Sequence, residues 1–357
     1  MQEISNLIKP LSYAADSGMR SIIPRAAAYS LGWLRQSCVT TARPIFIWGT
    51  GRSGTHLLYD AMSVHPDLCF VAATKRWKKG VWGGMHHGEQ VPEQLNDYPI
   101  PVEGPLYIWE GSGVHFDFHG FMENSNVSMV TKEIINSKYQ SLATVWKWQQ
   151  IKKEYRFLDK SPLYLMMIEL INQLFPDAFH VFCIRDPRAT VNSILRIARF
   201  TGKEQYESAY ADGFFSYMRP DGYREMLGKS LVEVLCWQIE ALIKKGASYR
   251  TLLGDRLIFF RYEELVASGH RAIRELFART GLSEVSGLER LIPGQFENYN
   301  PNWSERRSNQ FPTYELCFDA SEVHYFNGLE QLAEDLGYAP ENAGAIRHDI
   351  DIRRICA

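Results

Sequence analysis

The chain has 357 residues, a formal charge of −2 at pH 7, 45% hydrophobic residues and 13% aromatic residues. That length and apolar content support one large α/β domain or two small ones. The near-neutral balance argues against broad nucleic-acid binding, and no apolar run approaches the roughly 20 residues of a membrane span. Taken in order, residues 1–43 read as a helical extension, and Met1 to Leu11 has no secretory layout. Within it, residues 19–36 form a basic amphipathic stretch, read as a helix packed on the domain, with a membrane-surface role as the alternative.

Pro44-Ile45-Phe46-Ile47-Trp48 reads as a buried strand. A glycine-rich turn follows, and then a helix opens at Thr55 with Leu57, Leu58, Ala61 and Met62 on one face. A strand, loop and helix in this order turn backbone N–H groups and the positive end of a helix toward an anion. Gly49 and Gly54 have the glycine spacing of the nucleotide-binding loop G-x-x-x-x-G-K-[ST]. Thr55 stands where that loop has its lysine, and His56 where it has its metal-binding hydroxyl. Such a loop suits a phosphate ligand that has no γ-phosphate and needs no metal, with Arg52 supplying the cation.

Residues 73–125 form an insert rich in Gly, Trp, His and Pro, and a stretch this long with so little periodicity is read as functional, with poor order as the alternative. Residues 127–155 read as helical, Arg156 to Leu158 as a short strand, and Pro162 to Leu174 as a helix. Phe179 to Ile184 is a second buried strand, and Pro187 opens a helix to Phe200. A long helix over 225–246, a strand from Arg256 to Arg261, and helices over 269–280 and 328–336 complete the reading. Strands alternating with helices predict a parallel, doubly wound sheet with ligands at the carboxyl ends of its strands. Cys38, Cys69, Cys183, Cys236, Cys317 and Cys356 form no C-x-x-C pair and read as reduced thiols.

Two further motifs fall at predicted strand ends. Arg185 closes the second strand, and Ser193 lies about two turns along the next helix. An arginine fork and a hydroxyl suit a phosphate monoester. Lys160, in Asp159-Lys160-Ser161-Pro162, follows the short strand.

Arg52-Ser53-Gly54-Thr55-His56-Leu57, with His65-Pro66-Asp67 after the helix, resembles the phosphosulfate loop of sulfotransferases that use 3′-phosphoadenosine 5′-phosphosulfate (PAPS). In the carbohydrate, tyrosylprotein and bacterial branches that loop reads R-S-G-[ST]-[ST]-L. Arg185, Asp186, Arg188 and Ser193 match the 3′-phosphate motif R-[DN]-x-R-x-x-x-x-S, with Arg196 and Arg199 as candidates for a further basic residue. The resemblance implies one α/β domain over 44–340, with a central parallel sheet and 73–125 as the acceptor-side insert, followed by a tail over 341–357. It implies PAPS as donor, 3′-phosphoadenosine 5′-phosphate (PAP) as product, and no metal. Gly51, Arg52, Ser53, Gly54, Thr55, His56, Arg185 and Ser193 would bind the nucleotide, as would Tyr262 and Arg306. Tyr262 stands in a match to R-Y-E-D-L, and Arg306 in the basic loop Asn302 to Ser308. Arg52 and Lys160 would neutralise the leaving phosphate. The acceptor would be a hydroxyl of a small metabolite, glycan or lipid, and the enzyme cytoplasmic, with the N-terminal helix as a peripheral membrane contact.

The pattern fails at the acceptor's base. The catalytic glutamate of the carbohydrate and tyrosylprotein branches falls on Ala72 or Ala73, and the catalytic histidine of the aryl and steroid branch falls on Pro162. The expected base is therefore His115, whose ring Asp117 would orient. In an extended segment His115, Asp117 and His119 share a face. His86, His87, Glu103, Glu110 and Glu133 are the alternatives. Two other classes stay open: a kinase or nucleotide hydrolase with an altered loop, and a non-catalytic nucleotide-binding relative.

Overall fold

The apolar run at 45–48 is wholly buried, because it lies at the centre of a sheet covered on both faces. This is seen in a computed structural model that describes residues 39–70, 72–73, 100–101, 133, 155–200, 218–296, 320–339, 346 and 349–355. The strands are β1 (Val39–Gly49), β2 (Leu68–Cys69), β5 (Tyr155–Lys160), β6 (Phe179–Ile184) and β7 (Leu257–Arg261). They pair in the order β2-β5-β1-β6-β7, and every pairing is parallel. A two-residue antiparallel pair, β3 (Ala72–Ala73) with β4 (Ile100–Pro101), ties the start of the insert to a point within it.

Alternation along β1 sorts the core into two layers. Phe46 and Trp48 face one side, where they pack with Phe182 of β6; the Trp48 and Phe182 rings stack 4.5 Å apart. Ile45 and Ile47 face the other side with Val181, Ile258 and Phe260. The second layer is closed by α1 (Thr55–Met62) and the long helix after β7. The first is closed by α2 (Ile168–Leu174), α3 (Pro187–Phe200), α4 (Leu231–Ser248) and residues near the C-terminus. The helix after β7, α5, spans Tyr262–Arg279 and breaks at Gly269, where the His270 N–H turns to the Pro293 carbonyl. The helix α6 is Asn327–Asp335, and α7 is Ile352–Ile355.

Several boundaries differ from the sequence reading; the helix read over 269–280 begins at Tyr262, and the one read over 225–246 begins at Leu231. Strand β1 begins at Val39, so residues 39–43 are not helical. Val39 and Thr40 pair with Tyr155 and Arg156, as β-branched residues favour, and the register shifts before Ile45, where Arg43 has φ 49°. The segment read as one helix from Pro162 is a 3-10 turn, Pro162–Met166, followed by α2, with the break at Met167. Residues 349–355, read as part of a tail, return to the domain: Ile355 is buried in the first layer, and the Asp351 N–H donates to the Asp335 carbonyl at 2.8 Å.

Candidate active site

The loop from Thr50 to Gly54 leaves β1 at the centre of the sheet's carboxyl edge. Its width is set by contacts with β6 and α5. A Cβ on Gly49 would lie 2.3 Å from the Cys183 carbonyl oxygen, so only glycine lets the two strands part here. Gly54 has φ 91°, and a Cβ there would lie 2.2 Å from the Tyr262 ring. The ring of Tyr262 thus underlies the last turn of the loop. The Ser53 hydroxyl donates to the Thr50 carbonyl at 2.8 Å, and the Cys183 thiol donates to the Ser53 carbonyl at 3.2 Å. Ser53 is fully buried, so its hydroxyl shapes the loop from inside. Gly54 caps α1 with no side-chain hydrogen bond, and no acidic residue lies in the first turn. The positive end of α1 therefore faces the concave side of the loop without a capping carboxylate from its own turn.

Around this loop the predicted residues from distant segments come together. Arg52, held at φ 68°, donates from Nε to the Ser193 hydroxyl of α3 at 3.3 Å. Arg185, one residue past β6, donates from Nη1 to the Arg52 carbonyl at 3.3 Å, and its guanidinium lies 5.0 Å from the centre of the Tyr262 ring. Burial raises the Tyr262 pKa, so its hydroxyl stays protonated. Two guanidinium groups, a hydroxyl and a helix N-terminus in one place form a donor set that fits phosphate oxygens. Lys160 arrives from the other side of β1, where it pairs in register with Ile47. It has no exposed surface, so it is not the solvated lysine that its place before a proline-started turn would allow. Its Nζ lies 2.9 Å from Nε2 of His56, in the first turn of α1.

A second set of charges lies beneath the first. Arg188 and Asp186 are both fully buried, with Nη2 and Oδ2 2.7 Å apart; Nε and the backbone N–H of Arg188 also donate to Oδ1. Arg188 Nη2 reaches the Ala339 carbonyl at 2.7 Å as well. This arginine, part of the sequence match, is turned into the protein. Glu263 accepts from the Asp186 N–H at 3.1 Å and from the Tyr338 hydroxyl at 2.7 Å. Burial pushes its pKa up to about 7, opposed by the nearby Arg185.

His115, with Asp117 and His119, and His86, His87, Glu103, Glu110 and Arg306 lie outside the described residues. Glu133 is an exposed helical residue. Arg196 and Arg199 lie on α3, beyond the part whose side chains are described. Among the described residues, no three His, Cys, Asp or Glu side chains form a metal-binding group, and no helix is long and apolar enough to cross a membrane. Sequence reasoning missed the Glu263–Tyr338 link and the contact of His56 with Lys160. The second had a signal, since His56 departs from the loop pattern at one position.

A family model described as the sulfotransferase family matches residues 44–286. The chain belongs to the sulfotransferase family. The match takes in the loop, Lys160, Arg185, Ser193, Tyr262 and Glu263, but not Tyr338 or Arg306. A protein-tyrosine sulfotransferase of Drosophila melanogaster is 28% identical over 153 residues, which is 42% of this chain and 25% of that protein. Nodulation protein NoeE of Sinorhizobium fredii is 26% identical over 152 residues, again 42% of this chain and 30% of the relative. The matched stretches thus span less than a third of those proteins' own lengths. The crystal structure of the sulfotransferase STF9 from Mycobacterium avium superposes with a TM-score of 0.50 at 15% identity, covering 87% of this chain and 80% of that one. At that identity the likeness concerns the fold.

Proposed function

We propose that this sulfotransferase takes its sulfonate from PAPS and delivers it to a hydroxyl of a small metabolite, glycan or lipid. The observation that carries the reading is the convergence of Arg52, Arg185, Ser193 and Tyr262 on the uncapped N-terminus of α1, with Lys160 buried at its edge. Arg185 and Ser193 would hold the 3′-phosphate, and Tyr262 would keep the Arg185 guanidinium in place through its ring face. The loop amides from Gly51 to His56 and the Arg52 guanidinium would hold the 5′-phosphate. Arg306 would add a cation over the nucleotide. When bound, PAPS supplies an activated sulfonate on a phosphate leaving group. Lys160 and Arg52 would neutralise the charge that gathers on that phosphate, the work metal ions do in phosphoryl transfer.

Calorimetry in EDTA tests the reading. PAP should bind tightly without metal, and ATP with magnesium should bind more weakly. Loss of PAP binding in EDTA, or a preference for ATP, would overturn the assignment in favour of a kinase or hydrolase. PAP binding without release of PAP from PAPS under any acceptor would mark a non-catalytic relative.

A further inference from the structure

An acceptor hydroxyl must lose its proton as it attacks, yet the two places where related sulfotransferases keep a base hold Ala72 or Ala73 and Pro162. We propose that His56 is the general base, working as a pair with Lys160; this rests on the PAPS reading above.

The contact between the two side chains sets the form of the imidazole. A lysine ammonium only donates, so at 2.9 Å the His56 Nε2 accepts. The ring is then neutral, with its proton on Nδ1 and a lone pair on the nitrogen that faces Lys160. The ring stands in the first turn of α1, directly beside the Lys160 side chain of β5. A neutral imidazole is the form in which histidine takes a proton.

The two groups supply what an in-line displacement needs. In phosphoryl transfer, two metal ions about 3.5–4 Å apart serve the attacking and leaving oxygens together. Here an ammonium and an imidazole 2.9 Å apart offer a charge for the leaving oxygen and an acceptor for the entering one. As Lys160 turns to the leaving oxygen, Nε2 is released to the acceptor. The acceptor O–H bond then breaks and its proton passes to Nε2. The acceptor oxygen bonds to sulfur, and the bond from sulfur to the bridging oxygen breaks, leaving its electron pair on the departing phosphate. The chemistry of position 56 agrees: related loops carry Ser or Thr there, which can donate to phosphate but cannot hold a proton near neutral pH.

The deciding variant is His56→Thr, which restores the residue of the related loops, with His56→Gln as a second. Both keep the backbone amide at position 56 and should still bind PAP. With water as the acceptor, release of PAP from PAPS should fall by about 10²–10⁴-fold. With p-nitrophenol, at a pH where it is already ionised, release should fall far less, because that acceptor has no proton to give. In the free wild-type protein, nitrogen-15 NMR should place the His56 proton on Nδ1. Three results would overturn the proposal: His56→Thr as active as wild type with water, an equal loss with both acceptors, or PAP affinity lost in both variants. The first, joined to an inactive His115→Ala, would return the base to the insert. Wild-type protein that neither binds PAP nor releases it would instead defeat the PAPS reading itself.

Discussion

Arg185 and Arg188 are three residues apart in one motif, yet they serve different regions of the molecule. Arg188 is fully buried and makes fork contacts with Asp186, and behind them Glu263 and Tyr338 tie β6 to α5 and the C-terminal segment. Arg185 is half-buried, beside the loop, and touches a carbonyl and a ring face. The lower set is buried and sets where the strand end lies. The upper set gathers positive charge around the loop. Residue type does not separate the two roles, whereas burial and the sign of the neighbours do.

The largest effect expected from this contrast is on the lower set. Arg188→Met removes the guanidinium from the buried Asp186 carboxylate and should cost about 3–5 kcal/mol in urea unfolding, with PAP affinity of the folded fraction retained. A variant that lost affinity but kept its stability would erase the distinction. Next is Lys160→Met, which keeps the buried stem and removes the charge. We expect kcat to fall by about 10²–10³, as when one preorganised donor is lost, with a smaller effect on PAP binding. Unchanged kcat would remove Lys160 from the chemistry. In the upper set, Arg185→Ala should weaken PAP binding by about 1.5–3 kcal/mol and collapse discrimination against nucleotides that lack the 3′-phosphate, with little change in stability.

Glu263 sharpens the contrast through pH. Its folded pKa of about 7 lies above the ordinary 4.5, with Arg185, Asp186 and Tyr338 as its charged or titratable neighbours. Below about pH 4.5 the carboxyl is protonated in folded and unfolded chains alike. As pH rises toward 7, the unfolded chain releases the proton first, so the folded state loses stability, by on the order of 1–3 kcal/mol, and the loss is complete above 7. Glu263→Gln should lack that slope in stability measured against pH, and an identical slope in both proteins would assign it to another group. The smallest effect is Ser193→Ala, whose neutral hydroxyl should be worth about 0.5–1.5 kcal/mol of PAP affinity by calorimetry.

The sheet and its anion loop were legible because their signals are local. A buried run before a glycine-rich turn, an arginine at a strand end, and a proline opening a helix each need only a few neighbours to be read. The partition of Arg185 from Arg188 was not legible. It depends on Glu263 and Tyr338, which approach from 75 residues apart in the chain. Likewise the sequence marks His56 as a departure from the loop pattern but does not show its partner, since Lys160 meets it only once β5 lies beside β1. The early start of β1 was hidden for a related reason: Val39 and Thr40 become a strand by pairing with Tyr155 and Arg156. The base assigned to His115 rested on a pattern of one short segment, and that segment is outside the described residues.

The position of β1 between β5 and β6 has a consequence for how the protein is made. The contacts from Arg52 to Ser193, from Arg52 to Arg185 and from His56 to Lys160 close separations of 141, 133 and 104 residues. The loop leaves the ribosome before its partners but can grip nothing until β6 has docked, and Tyr262 must then arrive beneath it. Parallel pairings over such distances form slowly, after the cost of closing large chain loops has been met. A ligand that touches the loop, α3 and the start of α5 together binds only the finished sheet. It would therefore act on the newborn chain as a latch, drawing the population toward the completed fold by mass action.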